Sequence, residues 1–140
     1  MNASIVYSSM TGHSRKLAQA IAERLDIPAY NVKLETPEIK NTDIVFIVSG
    51  IYGGTASSEL MNFIKHLEPD QVRAAALIMS SVSQDYSKCE IKNILAKKNI
   101  PIAGEFSCFG SFLVVKLGHP KKNEIKKAAD FAEQIYIKYN

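Results

Sequence analysis

The sequence predicts a doubly wound α/β fold: a five-stranded parallel sheet covered on both faces by about four helices. Three observations carry this. The segments Ile44–Val48 and Ala74–Met79 are continuously apolar, the habit of strands buried on both faces of a parallel sheet. Between such segments the apolar spacing switches to the three-and-four-residue rhythm of helices. No linker, repeat or second regime of composition interrupts the alternation, so residues 1–140 read as a single domain.

In order along the chain, SIVYSS (4–9) is the first strand. From Ser14 the residues Leu17, Ile21 and Leu25, joined by Ala18 and Ala22, make one apolar helix stripe. DIPAYNV supplies a short second strand with Pro28 at its entrance, where a missing N–H is tolerated. KLETPEIKNT is too short, and too broken by Pro37, to predict a helix. DIVFIVSG (43–50) is the third strand; Leu60, Phe63, Ile64 and Leu67 mark the helix after it. AAALIMSS (74–81) is the fourth strand. Ser87 and Glu90 then have capping-box spacing ahead of Ile91, Ile94 and Leu95. IPIAGEFSCFG holds the fifth strand, SFLVVKLGHPKKN connects, and a last helix turns Ile125, Ala128, Ala129, Ala132 and Ile135 inward.

Composition narrows the class. Of 140 residues, 46% are hydrophobic and 22% charged, as in globular domains. No apolar run is long enough to span a bilayer and no leader pattern opens the chain, so a cytoplasmic protein without membrane insertion is expected. Cys89 and Cys108 form neither a metal pattern nor a disulfide framework and read as reduced thiols. The formal net charge is +3, with the basic excess in the second half. It is too diffuse for nucleic-acid binding, which is not expected.

In this fold class ligands bind at the carboxyl ends of the strands, beside the reversal of strand order. Three loops reach that edge: 8–14, 50–57 and 81–87. The first contains neither GxGxxG nor GxxxxGK[ST], and no cysteine nucleophile followed by arginine. What it offers is S-M-T-G-H-S: Ser9, Met10, Thr11, Gly12, His13 and Ser14. Hydroxyls at 9, 11 and 14, amides around flexible Gly12 and the opening of a helix suit a terminal phosphate monoester. On these residues alone a polar turn leading into a capped helix stands beside that reading. Arg15 and Lys16 stand either at the loop's rim or simply as surface charges. His13 either approaches the ligand or faces solvent, and nothing in the spacing pairs it with an orienting acid.

S-x-T-G-x-S after the first strand, taken with SGIYGG after the third, resembles the flavodoxin family. The likeness runs over nearly the whole chain, in the length of the short-chain members. It implies strand order 2-1-3-4-5 and non-covalently bound FMN, with the first loop around the phosphate. It also implies that Ile51, Tyr52, Gly53 and Gly54 cover the flavin ring. Tyr52 would flank the ring, and the Gly53–Gly54 peptide would turn its carbonyl toward the ring nitrogen that gains a proton on reduction. The third loop departs from the family pattern. In place of a glycine-rich segment it has Ser81, Val82 and Ser83, whose amides would meet the ring oxygens, with Gln84, Asp85 and then Tyr86 as a second aromatic.

The function so implied is one-electron transfer between redox protein partners, a reductase donor and an acceptor protein, by a monomeric carrier rather than a stand-alone oxidoreductase. Flavodoxins are generally acidic, and this chain is not. Two alternatives accompany the carrier: an NAD(P)H-dependent FMN or quinone reductase, and an interaction protein of the same fold with a weak or empty flavin site.

Overall fold

A computed structural model describes residues 2–8, 12–51, 56–81, 90–109 and 122–140. The elements are β1 (Ala3–Ser8), α1 (His13–Leu25), β2 (Ala29–Asn31), β3 (Thr42–Ile51), α2 (Ser58–Lys65), β4 (Val72–Ser81), α3 (Glu90–Lys97), β5 (Ile102–Phe109) and α4 (Lys122–Tyr139). All four strand pairings are parallel and the sheet order is β2-β1-β3-β4-β5. The predicted alternation and its order of strands are therefore present.

The unbroken apolar runs of β3 and β4 reflect burial on both faces. Val45 and Ile47 point into one core with Leu60, Ile64, Leu77, Ile91 and Leu95, beneath α2 and α3. Ile44, Phe46 and Val48 point the other way, into a core with Ile5, Leu17, Ile21, Ile78, Ala128 and Ala132, beneath α1 and α4. Successive side chains of a strand alternate faces, so one segment serves both cores. Full burial of Phe46 or Ile47 stabilises the fold by about 1.5–3 kcal/mol each.

Local chemistry sets the boundaries. α1 stops at Asp26, whose N–H still reaches the carbonyl of Ala22 and whose left-handed backbone (φ 54°) turns the Ile27 N–H back to the same carbonyl. Asn41 and Asn99 take the same region, at φ 49° and 59°, which asparagine tolerates better than most residues. The stretch after β2 forms no helix: Asn31 Oδ1 accepts from the amide of Lys33, turning the chain away, and Ile39 is buried in a core against which Val32 also packs. α2 ends at Lys65, so Leu67, predicted to belong to this helix, lies past its end, though still only 2% exposed. β5 starts at Ile102 because Pro101 has no N–H to offer; its carbonyl accepts from Ala75. Between Ala75 and Ala76 the β4–β5 register slips by one residue. Beyond the slip, Gly104 lets α4 close onto the sheet: a Cβ there would sit 2.9 Å from Ile135 Cδ1 and 3.1 Å from Phe131.

Candidate functional site

The strand registers give the carboxyl edge its shape. Ile51 of β3 pairs with Ser81 of β4, and Ser81 with Phe109 of β5, so the last described residues of these three strands are in register. The last described residue of β1, Ser8, pairs with Ser49. The notch of this edge is the place between β1 and β3 where the strand order reverses. The helices leaving this point part company: α1 packs on one face of the sheet and α2 on the other. A crevice between diverging helices at a strand-order reversal is where this architecture binds ligands.

Polar residues collect at the notch. Six polar residues are buried among the described ones, and five of them, Ser8, His13, Ser14, Ser49 and Ser80, lie at this edge. Burying a hydroxyl or imidazole costs free energy unless it is hydrogen-bonded, so their clustering at one end marks that end as specialised. Ser8 Oγ and Ser57 Oγ are 2.7 Å apart, joining the end of β1 to the start of α2. Ser57 is also the N-cap of α2, its Oγ accepting from the amide of Leu60 at 3.3 Å.

The two helix starts beside the notch are built differently. α2 has a serine cap and an acid, Glu59, in its first turn. The Glu59 carboxyl is held below its ordinary pKa, chiefly by a hydrogen bond from its own backbone amide. α1 is capped by Gly12, which has no side chain to offer its first-turn amides, and that turn carries no acid. Gly12 is left-handed (φ 85°), so the loop's glycine meets a real torsional demand. Amides at such an N-terminus are donors suited to an anion.

α1 begins at His13, one residue earlier than the stripe from Ser14 predicts. His13 and Ser14 are both buried, at 6% and 4% exposure, so the solvent-facing alternative for His13 is wrong. Arg15 and Lys16 are exposed, as rim residues should be. Ile51 belongs to the end of β3 rather than to the loop, and Ser81 ends β4. Ser9, Met10, Thr11, Tyr52, Gly53, Gly54, Val82, Ser83 and Tyr86 lie outside the described residues, as do Asp85, the Ser87 cap and Cys89. Sequence reasoning overlooked Ser49 and Ser57. The signal for Ser57 was legible, a serine three residues before the first inward-facing leucine of α2; Ser49 is set only by its strand register. A second groove, of about 650 Å³ between α2 and α3, is lined by Met61, Asn62, Glu59 and Glu90 and holds none of the predicted residues.

Comparison with known proteins follows from this geometry. The family model of the flavodoxin domain matches residues 4–133. An uncharacterized protein of Methanocaldococcus jannaschii is 31% identical over 96% of this chain and 98% of its own length. Two solved structures share the fold at low identity. A short-chain flavodoxin associated with a non-canonical PDU bacterial microcompartment superposes with TM-score 0.69 at 15% identity, all of both chains covered. The apo form of an NADH:FMN oxidoreductase gives 0.71 at 13% identity, over 100% of this chain and 91% of its own. Sheet order, the notch at its carboxyl edge and the match over residues 4–133 agree: the chain belongs to the flavodoxin domain family.

Proposed function

We propose that this chain binds FMN at the notch between β1 and β3 and passes electrons one at a time between protein partners. The observation that carries the reading is the start of α1: a left-handed glycine cap, no first-turn acid and two buried polar side chains, His13 and Ser14, beside the end of β1. These features fit a phosphate-bearing flavin, because a phosphate needs donors and a backbone free to approach it closely. The hydroxyls of Ser9, Thr11 and Ser14 and the amides from Gly12 onward would hold the phosphate. Ile51 and Tyr52 would cover one face of the ring and Tyr86 the other. The amides of Ser81 to Ser83 would meet the pyrimidine edge, and the Gly53–Gly54 peptide would adjust its carbonyl to the ring's protonation. Bound FMN supplies a ring that accepts and releases electrons singly. The chain's part is to orient it, exclude water from one side and leave an edge open.

Native purification tests this directly. A yellow protein whose spectrum develops a long-wavelength blue band midway through dithionite titration supports the carrier. Bleaching by NADPH alone would replace it with a reductase of the kind its fold also serves. A protein that retains no flavin and takes up none on addition would refute both. Within the carrier reading, Thr11→Ala weakens FMN more than riboflavin, by about tenfold for one charge-assisted hydrogen bond lost. Equal weakening of the two would reject the phosphate assignment.

A further inference from the structure

α1 and α4 lie side by side, and both begin at the carboxyl edge. α4 runs back against β5, since Gly104 near the start of that strand meets Phe131 and Ile135 late in the helix. Arg24 Nη1 bonds Asp130 Oδ1 at 2.7 Å, which fixes the two helices' relative height. Eight residues before Arg24 stands Lys16, and eight before Asp130 stands Lys122, so the first residue of α4 is level with Lys16, about one turn inside α1.

Charge is sorted along this pair. In the first two turns stand Arg15, Lys16, Lys126 and Lys127, all exposed, against one acid, Glu124. The first residue of α4 is itself a lysine, Lys122. The remaining acids, Glu23, Asp130 and Glu133, sit lower down, where Arg24 is bonded to Asp130 and 4.0 Å from Glu133. Lys126 is paired within its own helix, to Asp130 at 2.9 Å. Arg15 and Lys16 stand in or beside the first turn of α1, where cations oppose the helix dipole at about 0.3–1 kcal/mol each, so local helix stability does not explain them. On the opposite face of the sheet, α2 and α3 begin with Glu59 and Glu90 and carry Lys65 and Lys92 beside them. The excess of positive charge is therefore a feature of the α1–α4 side of the edge.

We infer that the corner formed by the first turns of α1 and α4 is the docking surface for an acidic redox protein. This rests on the electron-carrier reading for the kind of partner, and on charge complementarity for its sign. A carboxylate-rich face is drawn to Arg15, Lys16 and Lys127, which places it on the α1–α4 side of the notch.

The test is binding, measured by titration calorimetry with the protein as purified. The probe is an acidic plant-type [2Fe–2S] ferredoxin, with basic cytochrome c as its opposite. Ferredoxin affinity is expected to fall at least about tenfold as salt rises from roughly 20 to 200 mM, with cytochrome c binding weakly throughout. The double variant Lys16→Glu/Lys127→Glu, at two exposed positions outside the flavin contacts, is expected to lose at least about tenfold at low salt with a melting temperature no lower than the parent's. Backbone amide signals of Arg15, Lys16 and Lys127 should respond first. Ferredoxin binding that ignores salt, or survives the charge reversal, overturns the proposal even if the protein is yellow. So does equal affinity for duplex DNA or for phosphatidylglycerol vesicles, which would make the patch a general anion surface. A colourless protein that still binds ferredoxin in this way would sink the carrier reading and leave the docking surface standing.

Discussion

Gly12→Ala isolates the torsional demand at the opening of α1. At φ 85° and ψ −6°, Gly12 sits where an L side chain costs about 1–2 kcal/mol. Space is not the difficulty: the nearest heavy atom to an added Cβ is Arg15 Nη2 at 3.9 Å, ordinary contact distance. Replacing glycine also stiffens the unfolded chain, returning about 0.4–1 kcal/mol. The net loss is then about 1 kcal/mol, or about 3–5 °C in melting temperature for a domain of this size. Because the cost is backbone conformation, Gly12→Asn should recover most of it, since asparagine visits the left-handed region more readily. Urea denaturation and thermal melts of the three proteins, followed by circular dichroism, supply the comparison. An alanine variant as stable as the parent, or an asparagine variant no better than alanine, would refute the conformational account.

The other glycine makes the opposite case. Gly104→Ala creates contacts of 2.9–3.2 Å with Ile135 and Phe131 and should cost about 1–3 kcal/mol by denaturation, recovered in part by adding Ile135→Val, which removes the clashing Cδ1. Ser57→Ala removes both the cap on Leu60 N and the partner of buried Ser8, an expected loss of about 1–2 kcal/mol in the same assay. Asp130 accepts from Arg24 and from Lys126, which together hold its carboxyl below the ordinary range. A depressed carboxylate contributes stability above its unfolded pKa, about 3.9, and loses it as pH falls through the lower folded value. Melting curves of Asp130→Asn should therefore lie below the parent at neutral pH and converge with it under acid; a constant gap would show that charge is not involved.

The fold was legible because its strongest signals are long and redundant. Ile44–Val48 and Ala74–Met79 have no polar interruption, and α1 and α4 repeat their stripes over several turns. Where the reading failed, a single contact decided. Leu67 looked helical because its spacing from Phe63 and Ile64 is right, yet the helix stops at Lys65 and a turn carries Leu67 inward. The candidate site was visible through composition, a hydroxyl cluster around one glycine, but its form was not. That Ser8 stands beside Ser49 depends on register, which no local pattern encodes. The Ser8–Ser57 bond joins residues 49 apart and becomes visible only once the sheet is assembled.

The division of the hydrophobic interior into two cores has a consequence for how the chain acquires its structure as it is made. Among the described residues, the buried members of the core beneath α2 and α3 lie between Val6 and Ile100. The core beneath α1 and α4 also needs Ala128, Ala132 and Ile135 from the last helix. A chain emerging from its N-terminus can therefore bring together these residues of one side of the sheet while Ile44, Phe46, Val48 and Ile78 on the other still lack the cover of α4. That half-covered sheet is the species most exposed to aggregation and to chaperones. The bond between Arg24 and Asp130 records the moment the exposure ends, because it forms only when the last helix reaches the first.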